Sequence, residues 1–490
     1  MKKFSKYIIC IIAVSTLASC KKFLDEKPIS ESTDLTFWKN EKDADQGVAA
    51  GYALLRRTLN KAAGVGFYVY GDLPTDEFTT TNVQRFTDAT NVNWSISVPA
   101  SETGDLMMQM RRYDTFYSAI DQANRCLKFI PTISDSEFSS VAAKNNLLGE
   151  AYFLRAFNYF YMTRIWGDVP LVVESGLITD AVDIPRTKEA EVIAQCIKDV
   201  NTAIGLLNWN YDNANNRAVR ANKGAAYALL AHIYAWKGDY ANCNIAADQV
   251  INQGFYQYVD RNIYLNIFKG KSTEGIFEIA QSDENEGNVN GIASYTLKTP
   301  YLTTVTTNAR FTINRTTLDN LYGKNASDKR FTNAFALTTT TDPICIKYSN
   351  ITYVSGNNVI TPVAHNNIVI FRLADIKLLK AEALAALTQY NDARTVLNEV
   401  RTRAGLTNWV GADANLFEGI SDERGRELFL EGHRFYDLVR LGRKTGIMKF
   451  GDNKINKADF DAGKYYWPMD PALLQINKRL TQTPFWSSKM

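Results

Sequence analysis

The residues best suited to chemistry lie in DERGRELFLEGHRFYDLVRLGR, residues 422 to 443. Read as one helix at 100° per residue, Arg424, Glu427, Glu431 and Arg434 fall within an arc of about 80°. Two carboxylates and two guanidiniums on one face could serve as an acid/base pair. Leu428, Phe435, Tyr436 and Val439 occupy the neighbouring arc, however, so the charged stripe is expected to be half buried. A buried charge without a partner costs several kcal/mol, and the stripe reads first as a structural ion network that locks the helix to its neighbours.

Other chemistries find little support. The three histidines, His232, His365 and His433, are scattered, and neither HExxH nor GxSxG occurs. Acids are plentiful, but no spacing marks the carboxylate pair of a glycoside hydrolase. The glycines at 64, 66 and 71 match no phosphate loop, and FKGKS lacks the first glycine of one. The stretch 282–291 looks like a cation-binding loop with its glycine misplaced, so a metal there is left open. No cofactor motif appears. No CxxC pair occurs, and Cys126, Cys196, Cys243 and Cys345 are expected to be buried free thiols.

The chain opens with Lys2, Lys3 and Lys6, an apolar run from Tyr7 to Leu17, and Leu17-Ala18-Ser19-Cys20. The apolar run is too short for a permanent membrane span. The order resembles a lipoprotein signal peptide over residues 1–19, with Cys20 as the lipidated first residue of the mature chain. Residues 20–40 then read as an extended tether that Phe37 and Trp38 plug into the body. The full chain has 490 residues and a net charge of +3; loss of the three leader lysines brings it near zero. That argues against nucleic acid as a partner, which needs a basic footprint.

The elements that must position these residues are helices. Residues 219–253 read as a helical hairpin: Tyr227, Leu230, Ala231 and Tyr234 share one face, Lys237-Gly238-Asp239 turns the chain, and Cys243, Ala246, Ala247 and Val250 restore the period. Large residues facing small ones resemble the tetratricopeptide (TPR) pattern. The unit recurs 150 residues later, with Ala231 falling on Ala381, Cys243 on Ala393 and Val250 on Val400. A looser relative lies at 147–166. Further helices are expected over 41–60, 103–130, 137–166 and 187–207. Hairpins bury their apolar faces by stacking, so the fold class is mostly α, a TPR-like scaffold. Two stretches interrupt it. Residues 61–102 read as a long loop carrying Asp76, Arg85 and Trp94, and 254–368 as an irregular insertion of turns and short strands, with GIFEIAQS as one strand. The segments are thus 41–253, 254–368 and 369–490.

Taken together, several stretches resemble the SusD/RagB family of Bacteroidetes outer-membrane lipoproteins. They are CKKFLDEKP after the leader, DLTFWKNEKDADQGVAAGYALLR, GEAYFLRAFNYFYMTRIWGDVPLV, the central hairpin, FRLADIKLLKAEAL, RGRELFLEGHRFYDLVRLGR and YYWPMDPALL. The resemblance runs from residue 20 to about residue 480. It implies a SusD-like fold of four TPR-like helical pairs with an irregular lobe. It also implies triple acylation (palmitate among the chains) at Cys20 and an outer-membrane position facing the medium. The expected partner is a SusC-like TonB-dependent barrel, and the expected ligand a glycan, or a peptide in some members. No cofactor and no catalysis are implied.

Sugar recognition fits the two loop segments. Aromatic faces cover the C–H side of a ring, while Asp, Asn and Arg bond its hydroxyls. The candidates are Asp76, Arg85 and Trp94 in the first segment, and Tyr295 and Tyr301 in the second. A TPR-type interaction scaffold and a glycoside hydrolase are the competing classes. The first leaves the lipid anchor unexplained, and the second has no motif.

Overall fold

The computed structural model describes residues 34–490 apart from 80–82, 100, 103, 177–182, 282–290, 324–326, 357–358 and 452–453. The leader, Cys20, most of the tether and nearly all of the 282–291 loop therefore lie outside the described residues.

Ten helices carry the architecture: α1 (Glu41–Leu59), α2 (Asp114–Phe129), α3 (Val141–Trp166), α4 (Glu189–Leu206), α5 (Lys223–Lys237), α6 (Tyr240–Asn252), α7 (Leu373–Ala386), α8 (Tyr390–Arg403), α9 (Leu416–Glu427) and α10 (Arg434–Thr445). Their ends follow from side-chain chemistry. Asn40, Ser140, Asn222 and Asp239 each cap an N-terminus by accepting from a backbone N–H two or three residues on. Gly238 ends α5 at φ +80°, a left-handed conformation in which glycine carries no Cβ clash.

From α2 to α6 each helix packs on the next in sequence. The decisive contact is α6 on α7, which brings the two sequence-equivalent hairpins side by side although 120 residues separate them. Cys243, Ala246, Ala247 and Val250 are buried on α6, and Ala381, Ala393, Leu397 and Val400 on α7 and α8. The four cysteines outside the leader region are free and buried. Trp38 stacks on Phe129 with centroids 5.7 Å apart, so the tether's end is seated in the body.

The strand expected at GIFEIAQS is Gly275–Ile279 (β1). It pairs antiparallel with Ile368–Arg372 (β4), so the two ends of the insertion are joined before α7 begins. Inside the insertion, Ile351–Gly356 (β2) and Val359–Ala364 (β3) form a ribbon.

Three expectations need correction. Residues 61–102 are not one long loop: Gly66–Gly71 and Gln84–Thr90 are helical, and Phe67, Tyr68, Val69 and Tyr70 are buried in the core. The helix expected over 103–130 is two, because Arg112 is extended (φ −102°, ψ 137°). The helix expected through 422–443 breaks between α9 and α10, where Leu430 and Gly432 take φ +55° and +77°. Glu431 therefore lies in a turn, off any helical stripe.

Candidate functional site

The charged residues of the α9–α10 region are buried and ion-paired, each with partners from other parts of the chain. Arg424 holds Asp375 Oδ1 and Asp437 Oδ2, both at 2.8 Å. Glu427 receives Arg261 at 2.8 Å, Arg372 at 2.9 Å and Arg330 at 3.2 Å. Glu431 receives Lys347 at 2.6 Å and Arg372 at 2.7 Å. Burial alone would push these carboxylates up, but the surrounding guanidiniums hold Glu427 well below its ordinary range and Glu431 below it. Carboxylates so fully engaged are held in their charged form by buried cations, the arrangement expected of a structural ion network.

The fold also brings together two histidines that are far apart in sequence. His232 and His433 stack with centroids 5.6 Å apart, and His232 Nε2 lies 2.8 Å from Asp375 Oδ2. Their ligand atoms could group around a metal ion, but Arg424 already sits on the other oxygen of Asp375. Burial lowers both imidazoles, His433 to about 4. His232 joins the network through its hydrogen bond to Asp375 rather than as an ion.

Of the ligand candidates, Trp94 and Tyr295 are in the wrong place for contact with solvent. Trp94 is 0% exposed, stacks on Trp467 at 4.0 Å and donates its indole N–H to the carbonyl of Ala89. Tyr295 is 6% exposed and packs between Phe86 (5.0 Å) and Phe311 (5.1 Å). Both rings are packed in the core of this structure rather than presented on its surface. What Tyr295 does is join the two segments, since Phe86 belongs to the first and Phe311 to the second. Thr79 N–H donating to Thr312 C=O, and Phe78 against Phe311 at 6.0 Å, extend that seam.

On this seam lies a loop face. Arg85 is 22% exposed, donates to Asp105 Oδ2 at 2.6 Å and lies 3.7 Å from Asp88 and Glu102. The exposed Arg310 lies over the Tyr295 ring at 5.1 Å. Tyr301 is partly buried against a small satellite core that includes Leu297, Leu302 and Ile344. Tyr353, on β2, was not singled out from the sequence. It is 40% exposed, and its hydroxyl accepts from Thr303 N–H at 3.1 Å, so its ring is held beside the Tyr301 loop. The available signal was a pair of β-branched runs around Asn357-Asn358, which reads as a hairpin.

A cleft of about 530 Å³ is walled in part by Thr317, Asn320 and Leu321 of the second segment. Asp76 and Arg434 line it, joined by a two-pronged pair at 2.9 and 2.8 Å. Asp76 is thus tied into the α10 end of the ion network while still reaching the cleft. Asp422, Arg426 and Lys449 stand on its rim, with apolar wall from Leu321, Met448 and Ile455.

Behind this floor, Glu77 is fully buried, and among the described residues neither of its carboxyl oxygens has a hydrogen bond of ordinary geometry, the Leu430 backbone N–H being the donor that faces it. Burial pushes its carboxyl well above the ordinary 4.5, and the neighbouring Asp72 adds to that, against a downward pull from Arg434. The folded chain therefore keeps a proton that the unfolded chain gives up. Stability contributed by this group falls as pH rises above about 4.5. Glu77→Gln is expected to raise the melting temperature at pH 8 and to make little difference near pH 4. A difference that stays constant across that range, followed by thermal melts, would contradict a neutral Glu77.

Comparison with known proteins gives a consistent likeness. A family model described as the SusD family matches residues 298–486, and one described as starch-binding associating with outer membrane matches 22–235. SusD-like protein P38 of Formosa agariphila is 28% identical over 98% of this chain and 99% of that protein. The starch-binding protein SusD of Bacteroides thetaiotaomicron is 40% identical over 89 residues, 17% of this chain and 15% of that protein. Among solved structures, a SusD homolog from Bacteroides thetaiotaomicron superposes with a TM-score of 0.79 at 27% identity, covering 91% of this chain and 98% of that one. A SusD superfamily protein from the same organism gives 0.76 at 26% identity, over 92% and 99%.

Proposed function

This chain belongs to the SusD/RagB family, and we propose that it is a cell-surface lipoprotein that captures an oligosaccharide or polysaccharide and delivers it to a SusC-like TonB-dependent transporter. The observation that carries the reading is the convergence of the 61–102 and 254–368 segments, through Phe86, Tyr295 and Phe311, into one surface. The matching family description, starch-binding associating with outer membrane, supports the ligand class and the location. The lipid anchor rests on Cys20 and its preceding small residues. Firm attachment needs more than one acyl chain.

Capture without turnover fits what the side chains can do. Arg85, Tyr301, Arg310 and Tyr353 offer hydrogen bonds and ring edges on the loop face, and Asp76 with Arg434 offers them in the cleft. A stacked ring contributes about 0.5–1.5 kcal/mol by analogy with aromatic pairs. Two or three such contacts plus hydrogen bonds give on the order of 4–8 kcal/mol, in the millimolar to micromolar range. Weak binding suits a protein that passes its cargo on.

The test is a titration of the soluble body, beginning at Lys21, with oligosaccharides, polysaccharides and peptides, each mixture assayed for cleavage. Saturable binding of intact glycan supports the reading. Saturable binding of peptide alone moves the chain to the peptide-binding class of the same uptake system, and product formation makes it an enzyme. Recovery of a barrel protein with the native lipoprotein tests the delivery step. Tyr353→Ala is expected to weaken glycan binding about two- to tenfold with an unchanged melt, the loss of one stacked ring. Unchanged affinity would remove Tyr353 from the contact surface.

A further inference from the structure

We propose that the cleft between the α5–α6 turn and the end of α10 binds the acidic group of a sugar, a uronate carboxylate or a sulfate ester. This rests on the glycan-capture reading and adds to it a second contact, one for anions.

The cleft holds about 320 Å³. Lys237, Arg440, Arg443 and Lys444 line it, Trp236 and Tyr240 add aromatic wall, and among the described residues no carboxylate lines it. The four cations are not held alike. Arg440 is buried and closely paired, with Glu382 at 2.6 Å and Asp437 at 2.7 Å. Arg443 stacks on Trp236 at 4.1 Å and donates to Trp236 C=O and to the Tyr466 hydroxyl, both at 3.0 Å. Its ion-pair contact is loose: Glu189 lies 4.0 Å away and already accepts from Trp236 Nε1 and from Tyr466. Lys237, with 53% of its side chain exposed, is 3.8 Å from Asp239. Lys444 is exposed, lies over the Tyr240 ring at 5.6 Å and donates to Ala386 C=O at 3.2 Å.

Cations in the last turn of a helix are ordinary, because they meet the negative end of its dipole. That accounts for one bond from Arg443 to the end of α5 and one from Lys444 to the end of α7. It leaves an ammonium with further donors and a loosely paired guanidinium on the wall of one concave space. The closely paired acids, Glu382 and Asp437, are both buried and engaged by Arg440. An entering carboxylate or sulfate thus finds donors it can bond without pulling apart a close ion pair. Such charge-assisted bonds are stronger than those between neutral groups. The space is concave and lies at the small end of the range of ligand pockets, which suits a sugar unit. A lipid surface would instead be met by a broad apolar face with basic flanks.

The experiment is calorimetry on the soluble body at low salt, with hexagalacturonate and a chondroitin sulfate hexasaccharide set against maltohexaose. At least one acidic hexamer is expected to bind. Lys444→Glu is expected to weaken that binding about tenfold or more, and Lys237→Glu to act in the same direction. Lys198→Glu makes the same charge change on the exposed side of α4 and is expected to leave it unchanged. All three lysines are exposed, so the variants are expected to fold, with the thermal melt as control. Acidic hexamers that bind all three variants as they bind the parent overturn the proposal. Binding of anionic vesicles through Lys444, with no acidic hexamer bound, overturns it in favour of a lipid headgroup. If neither acidic hexamer binds while maltohexaose does, the capture reading stands and this site falls. Silence towards all three sugars takes down both.

Discussion

Replacing Glu427 by alanine will destabilise the chain by about 3–5 kcal/mol, enough to consume much of the stability of an ordinary domain. The size follows from what is left behind. Arg261, Arg330 and Arg372 all donate to this one carboxylate, and all three are buried. Removing the acid strands positive charge where water cannot reach it. Arg372 also bridges Glu274 and Glu431 at 2.8 and 2.7 Å, so the damage spreads to the ladder that closes the insertion. Urea denaturation is the measurement, read as a lower midpoint at unchanged slope. A loss below about 1 kcal/mol would mean the guanidiniums find other acceptors. The exposed pair Lys457–Asp461 is the contrast, where Lys457→Ala should move stability by no more than about 0.5 kcal/mol. The same network sets the acid response. Glu423 is held at about 2 by Arg330, Arg426 and Arg401 against the upward push of burial, and Glu427, Glu431 and Asp437 are lowered too. Their contribution is present above the ordinary carboxylate range and is lost as pH falls from about 4 towards 2.

The helical scaffold was legible because its signal is local. A 3.6-residue apolar period, a capping asparagine or serine, and a Lys-Gly-Asp turn can all be read within one hairpin, and the 150-residue recurrence pointed to stacking. The break at 428–433 was not legible. Nothing in RELFLEG argues against helix except a glycine near its end. The helix opens there because residues from the insertion and β4 capture the freed carbonyls. Arg372 takes Glu427 C=O, Lys347 takes Phe429 C=O and Tyr348 takes Leu430 C=O. Asp72 meanwhile accepts from Gly432 N–H at 2.8 Å. Those partners lie 55 to 360 residues away. The same reason hid the site. Asp76 could be read as a polar loop residue, but its bond to Arg434 and the cleft behind it depend on α10 lying under the first segment. The pairing of His232 with His433 depends likewise on α5 packing near the start of α10.

Trp94→Ala is expected to cost about 3–5 kcal/mol of stability, and any loss of glycan binding should track the loss of folded protein. The ring fills space among Trp467 at 4.0 Å, Trp486 at 6.0 Å and Phe435 at 6.0 Å, and alanine leaves a cavity that rigid indoles cannot collapse into. Trp94→Phe should cost less, keeping part of the stacking while leaving the Ala89 carbonyl without its donor. The decisive measurement pairs a thermal melt with a titration at low temperature, where the variant is still folded. Retained affinity in the folded fraction makes Trp94 a core residue. An unchanged melt with lost affinity would return it to the ligand surface. The expectation favours the core because of who covers it. NVNWSISVPA is a polar neighbourhood in sequence, so Trp94 reads there as an exposed ring. Its cover comes from the C-terminal segments KYYWPMD and TPFW, which lie more than 370 residues on and return to pack over it. A segment that looks like a free binding loop is in this chain the underside of the scaffold's closing turn. Tyr353, 40% exposed, is by contrast a ring that no returning segment covers.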